Sequence, residues 1–224
     1  TPAGTELLRE GERLLGEMDA VANRVRRVAT GWESQLTVAV DTVIARHPLM
    51  DLAQDFFEVA PQTRLRIREE ALSGTLEALT SGQADLALGV ALETPTPPGY
   101  RSERLGSVEF IFALAPQHPL ASAPEPLTDE LLRQHRAVAV ADSVQRGNAL
   151  TIGLLGGQDV LTVPSMMAKL EAQLHGLGVG FLPSYLVQPY LDSGRLLTRQ
   201  VQRPRRVARI SYLWRDEPQA RAGR

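Results

Sequence analysis

The chain has no cysteine. That excludes disulfides, thiolate metal centres and a cysteine nucleophile together. It has a single lysine, Lys169; the other basic residues are arginine, which reads as a bias of composition. Net charge is −2 over 224 residues, so the chain is not a nucleic-acid polycation. The locally basic stretch of Arg195, Arg199, Arg203, Arg205, Arg206 and Arg209 lacks interleaved aromatics for base stacking, and reads as a solvated loop and strand edge. No apolar run reaches the roughly 18 residues of a transmembrane helix, so no membrane partner is expected. Nor does a short apolar core follow a basic start, so no secretory signal is visible.

Catalytic signatures are missing as well. His47, His118, His135 and His175 are scattered without metal-ligand spacing and read as surface or cap residues, so no metal and no cofactor are expected. No serine sits in a Gly-x-Ser-x-Gly elbow. The paired carboxylates Glu69-Glu70 and Asp129-Glu130 point to different faces of their elements, and Asp85 at a strand start reads as structural. Gly176-Leu177-Gly178-Val179-Gly180 suggests a dinucleotide loop, but here glycine follows a helix and precedes a strand, which reads as a helix C-cap and turn. No nucleophile, base and oxyanion hole assemble, so an enzyme is not expected.

What is present begins with a helix carrying a heptad seam. Leu7, Leu14, Val21 and Val28 recur every seven residues, with Gly11, Met18 and Val25 between them. Alternating steps of four and three keep them on one face. Leu8, Leu15, Ala22 and Ala29 widen the stripe, and charged residues cover the other faces. A helix of about 35 Å bearing such a stripe needs a partner helix. Thr30-Gly31 reads as its stop.

An alternation of strands and helices follows. Strands are expected at Leu36 to Val40, Arg64 to Glu70 and Asp85 to Val90, with helices at Pro48 to Val59 and Ser73 to Ser81 between them. This β-α-β-α-β order with short joins marks a parallel sheet with helices packed on it. Glu93 to Arg101 reads as a long loop. The pattern then recurs: strands at Val108 to Ala115, Ala137 to Ala141, Val160 to Val163 and Val179 to Leu182, and helices at Thr128 to Gln134, Ser165 to His175 and Pro183 to Leu191. Gly147 to Gly157 is ambiguous. Leu196 to Val201 and Val207 to Trp214 close the chain as strands. Two α/β lobes are the economical reading.

Four small polar residues fall where a strand ends and a helix or turn begins: Thr42, Ser73, Ser143 and Ser165. In an open parallel sheet such carboxyl ends face the crevice where ligands bind, and helix N-termini there suit an anionic or polar ligand. Two come from each lobe, so a ligand between the lobes would touch both. Serine and threonine are also simply good N-caps. Asp41 beside Thr42 would repel a purely anionic ligand unless paired.

Several phrases carry a resemblance. Thr1-Pro2-Ala3-Gly4 before a long heptad helix resembles the end of the winged helix-turn-helix domain and the linker helix of LysR-type transcriptional regulators. Leu36-Thr37-Val38-Ala39-Val40 is similar to that family's first effector-domain strand. Leu76-Glu77-Ala78-Leu79 with Gly82-Gln83-Ala84-Asp85-Leu86-Ala87-Leu88-Gly89, Ala115-Pro116-Gln117-His118-Pro119-Leu120, and Gly176-Leu177-Gly178-Val179-Gly180-Phe181-Leu182-Pro183 resemble further family signatures, in the right order along nearly the whole chain.

The resemblance implies an α/β fold of two Rossmann-like lobes, as in type 2 periplasmic binding proteins, preceded by a long linker helix. It implies a linker of residues 1–34, a first lobe of 35–113 with 203–224, and a second lobe of 114–202. Thr42 and Ser73 match effector contacts of the first lobe and Ser143 and Ser165 those of the second, while Asp41 departs from the small or neutral residue often found there. Leu7, Leu14, Met18, Val21, Val25 and Val28 become a dimerisation seam. The implied partners are a small-molecule effector, a second or further copy of the chain as homodimer or homotetramer, promoter DNA, and RNA polymerase, in the cytoplasm. The DNA-binding domain expected before Thr1 and the final helix expected after Trp214 are missing, as in a trimmed piece of a longer protein. A periplasmic solute-binding protein shares the lobes and is the alternative, but it has no use for a heptad helix.

Overall fold

The structure, a computed structural model, describes residues 1–30, 34–91, 95–145, 151–203 and 206–216. Helix α1 runs from Pro2 to Thr30, 29 residues or about 43 Å at 1.5 Å per residue. Its seam is in the open: Leu7, Leu14, Met18, Val21 and Val25 are each at least half exposed. Val28 lies in the helix, but its side chain, like Gly31, falls outside the described residues.

The first lobe is built as the alternation demands. Strand β1 (Gln35–Asp41) is buried almost throughout, as expected of a parallel strand covered on both faces. It pairs in parallel with β2 (Arg64–Glu70) on one side and β3 (Leu86–Val90) on the other. Strand β2 alternates arginines with half-buried Leu65 and exposed Ile67, the pattern of an edge strand. Between the strands run α2 (Arg46–Val59) and α3 (Ser73–Thr80). Helix α3 buries Thr75, Ala78 and Leu79. Helix α2 buries no residue fully: Leu49, Ala53 and Phe56 are half-buried at helical spacing, whereas Leu52 and Phe57 are exposed.

Strand β4 (Tyr100–Leu114) is about twice as long as the apolar run Val108 to Ala115 suggests. Its first half is polar and partly exposed, so alternation rather than hydrophobic density carries it. It pairs antiparallel with the last strand, β9 (Arg206–Arg215), from Tyr100 opposite Arg215 to Phe110 opposite Arg206. Strand β9 also lies antiparallel to β3, so the sheet runs β2-β1-β3-β9-β4-β7, where β7 is Gly180–Pro183, with the two-residue β8 (Leu197–Thr198) beside β4. The expected strand Leu196 to Val201 shrinks to that pair plus a bridge from Val201 to Leu127.

The second lobe adds α4 (Asp129–Arg133), whose N-cap Thr128 accepts the Leu131 N–H at 3.2 Å. A separate parallel pair, β5 (Ala137–Val140) and β6 (Val160–Val163), is tied to the start of β7 (Gly180–Pro183) through Val179, whose carbonyl accepts the Val138 N–H at 2.9 Å and whose N–H donates to the Arg136 carbonyl at 3.0 Å. Helices α5 (Met166–Leu174) and α6 (Ser184–Asp192) pack on this half. The glycine run is a turn, as read: Gly176 follows α5 with φ +70. Each lobe has its own core, one around Leu79, Ala87 and Leu213, another around Leu114, Leu127 and Leu132. Between them Val43, Phe110 and Ile210 pack with Met166 and Phe181.

Candidate functional site

A cavity of about 570 Å³ opens between the lobes. Its walls come from the ends of β1 and β3, the β2–α3 turn, the faces of β5 and β7, α5, and the first half of β9. The size suits a small organic molecule. The lining is largely apolar, with Asp41, Ser73, Lys169, Arg203 and Arg206 among it.

Asp41 is buried at the carboxyl end of β1. One carboxylate oxygen accepts the Val43 N–H at 2.8 Å; the other accepts the Leu72 N–H at 2.8 Å and the Thr75 hydroxyl at 3.3 Å. Burial raises its pKa to about 6; the bonds from Val43, Leu72 and Thr75 oppose that rise, and nearby Asp142 adds to it. The bond to Leu72 holds a strained residue, since Leu72 has φ +55. Behind Asp41, Gly89 has φ +90 at a bulge in β3, and a Cβ there would stand 2.9 Å from the Asp41 Cβ.

Ser73 and Ser143 meet each other's lobes rather than open space. The Ser73 hydroxyl donates to Asp142, which also accepts the Gly74 and Val144 N–H groups at 3.2 and 3.1 Å. The Ser143 hydroxyl donates to Glu70 at 2.6 Å and accepts the Ala71 N–H at 2.9 Å. Gln145 N–H donates to Glu77 at 2.6 Å. These bonds clasp the segment after β5 onto the start of α3, where a carboxylate is favoured by the helix dipole. The approach requires Gly74: a Cβ there would lie 2.0 Å from the Ser143 Oγ.

Thr42 and Ser165 stand apart from the cavity lining. Thr42 lines a second, smaller pocket of about 150 Å³ on the other side of the β1 end, with Arg46, Glu69 and Tyr185, and its buried hydroxyl has no hydrogen-bond partner among the described residues. The Tyr185 hydroxyl donates to the Val43 carbonyl at 2.8 Å; burial, then Asp41, pushes its pKa up to about 12. Ser165 caps α5 by accepting the Ala168 N–H at 3.2 Å, and the neighbouring Met166 is the one that reaches the cavity. The structure therefore brings Asp41 and Ser73 to one cavity and gives Ser143, Thr42 and Ser165 other surroundings.

The sequence reading passed over Lys169. The signal was available: Met166, Lys169, Leu170 and Gln173 fall at the spacing of one inward helix face. Lys169 is 6 % exposed, and burial, then Arg206, lowers its pKa to about 8. Arg203 pairs with Asp129 at 2.9 Å, and Arg206 lies over the Phe110 ring at 5.9 Å.

His118 caps a short turn, accepting the Leu120 N–H, and His175 caps α5, both as expected. Asp85 bonds the Thr37 N–H at 2.8 Å, a structural role. Among the described residues no three His, Asp or Glu side chains group to hold a metal, and no helix is long and apolar enough to cross a membrane.

Comparison with known proteins places these features. The family model described as the LysR substrate binding domain matches residues 29–223. An uncharacterised HTH-type transcriptional regulator of Escherichia coli K12, YeeY, is 37% identical over 201 residues, 90% of this chain and 65% of that protein. The chain thus spans about two thirds of that relative's length. The regulatory domain of MetR, a LysR family regulator from Neisseria meningitidis, superposes with a TM-score of 0.61 at 21% identity, covering 84% of this chain and 87% of that one. The effector-binding domain of QuiR, in complex with shikimate, gives 0.58 at 14% identity, covering 82% and 88%. Fold, motif order and family match agree: the chain belongs to the LysR family and comprises its substrate-binding domain.

Proposed function

We propose that this chain is the sensing and self-associating part of a LysR-type transcriptional regulator, with the cavity between its lobes as the effector site. The observation that carries this reading is the cavity itself, walled by both lobes and sized for one small molecule. The QuiR domain of the same fold, which holds shikimate, supports it. The lobes are taken as 35–113 with 203–224, and 114–202, after a linker of 1–34. Asp41 and Ser73 line the site, Ser143 works the clasp, and Thr42 and Ser165 shape the strand and helix ends beside it. An effector shifts the angle between lobes only by binding one arrangement better than another. Breaking or tightening the bonds of Asp142 and Ser143 to the α3 end is the step by which that angle changes.

The exposed seam of α1 is the association surface, joining copies into a homodimer or homotetramer in the cytoplasm. Promoter DNA and RNA polymerase are met through the longer protein. An activity as an enzyme has no support in the relatives, which are transcriptional regulators.

Thermal unfolding followed during titration with a panel of metabolites tests the sensor reading, because a ligand of the native state raises apparent stability. A rise with at least one small molecule is expected; no rise with any chemical class sinks it. Light scattering tests the seam. Met18→Asp or Leu14→Asp is expected to lower the oligomeric mass while leaving the lobes' unfolding within about 0.5 kcal/mol of the parent chain. Unchanged mass in both variants counts against the helix as the interface.

A further inference from the structure

We propose that the inter-lobe cavity contains a built anion subsite, in which the Lys169 ammonium and the Arg206 guanidinium receive the carboxylate of a small, otherwise apolar molecule. The inference rests on the reading of this cavity as the effector site and adds the chemical class of its occupant.

Lys169 is the only lysine in the chain, and it is spent indoors, 6 % exposed on the inner face of α5. Its ammonium makes no hydrogen bond or ion pair among the described residues. A buried ammonium in that state is costly, and buried charges are ordinarily paired or held neutral. The nearest polar neighbour does not relieve it. With its amide oriented to suit both partners, Gln173 donates to the Ala113 carbonyl at 3.2 Å and accepts the Gly180 N–H at 3.1 Å. Gly180 instead gives the ammonium room at the wall, since a Cβ there would stand 3.2 Å from Nζ. The third glycine of the run that suggested a dinucleotide loop thus serves the cavity.

The charged groups sharing the lining with Lys169 are Arg206 and Arg203 from the approach and start of β9, and Asp41 from the end of β1. Asp41 has both oxygens engaged by Val43, Leu72 and Thr75. Arg203 is engaged by Asp129 and by the Gly153 carbonyl at 3.2 Å. Arg206 is itself engaged, over the Phe110 ring among other contacts, and acts on Lys169 by repulsion, the second cause after burial of its weakened hold on a proton. An anion between the two cations relieves both the burial and the repulsion. The remaining wall, including Val90, Phe110, Val138, Val179, Phe181 and Ile210, suits an apolar body.

The single lysine makes the test direct. In the 224-residue chain labelled with ¹³C-lysine, the Cε resonance reports Lys169 alone. Its pH titration is followed without ligand and with benzoate, hexanoate, 3-phenylpropanoate, inorganic phosphate or the neutral benzamide. At least one carboxylate is expected to raise the midpoint by about one pH unit or more, with benzamide leaving it in place. Lys169→Met is expected to weaken binding of that carboxylate by at least about tenfold. Arg206→Gln is expected to raise the midpoint of the free chain while weakening the carboxylate. Three outcomes overturn the proposal: a midpoint unmoved by every carboxylate, a midpoint moved by phosphate alone, or Lys169→Met binding as tightly as the parent. A neutral metabolite that stabilises parent and Lys169→Met equally overturns the anion subsite and leaves the sensor reading standing. The titration uses the parent chain, so it decides even where a variant fails to fold.

Discussion

Asp41 and Lys169 face one cavity, and both are buried charges, yet they are handled in opposite ways. Asp41 closes β1 and accepts two backbone N–H groups and a hydroxyl. Its charge is used up in holding the β2–α3 turn, including the strained Leu72. Lys169 is as deeply buried and has no such bond among the described residues. A buried charge whose bonds are all made within the chain is part of the architecture. One left without bonds at a cavity wall is held ready for something from outside.

The strongest way to break this contrast is Asp41→Ala. It orphans two buried backbone donors, each costing about 1–3 kcal/mol, against some relief from removing a poorly solvated carboxylate; a net loss on the order of 3 kcal/mol is expected in urea unfolding. Unchanged stability would show that Asp41 is not the tie. Lys169→Met should act in the other direction. Its proton affinity falls from 10.5 to about 8, so replacing it with an apolar side chain of similar length is expected to stabilise the ligand-free chain by about 1–3 kcal/mol. A destabilised variant would mean that Lys169 has a structural partner after all.

The smallest effect is in the pH dependence, and its sign separates the two residues. The native state holds the Asp41 proton more tightly than the unfolded chain does. Its contribution is therefore best below about pH 4 and declines as pH rises through about 6. The native state holds the Lys169 proton less tightly, so its penalty is full below about pH 8 and fades toward pH 10.5. Parent-minus-variant stability curves for Asp41→Ala and Lys169→Met are expected to bend in those separate windows, by no more than about 1.4 kcal/mol per pH unit each. Bends in the same window would erase the distinction.

The elements of the first lobe are legible to within a residue or two because β1 and β3 are apolar and buried, β2 alternates apolar residues with arginine, and helices separate the three. The glycine turn, the Thr128 cap and the α5 cap were readable for a similar reason, since each is chemistry between near neighbours. The first half of β4 was not, because it is polar and gains its place from pairing with residues more than a hundred positions away. The site was half legible. Strand-end logic found Asp41 and Ser73 at the cavity. It could not show that Ser143 and Ser73 would be claimed by Glu70 and Asp142, partners some 70 residues distant in sequence. Lysine is so regularly a surface residue that Lys169 drew no attention despite its apolar neighbours.

Strand β9 sits between β3 and β4 and supplies Arg206, Ala208 and Ile210 to the cavity. On a ribosome, this strand emerges after everything it must join. Until it arrives, β3 and β4 have no common neighbour and the cavity lacks the wall that β9 supplies, so the pocket is complete only after every other strand of the sheet has been made. The seam of α1 precedes every strand of the sheet in the chain, so on the proposed reading two nascent chains can meet there before either has a complete pocket.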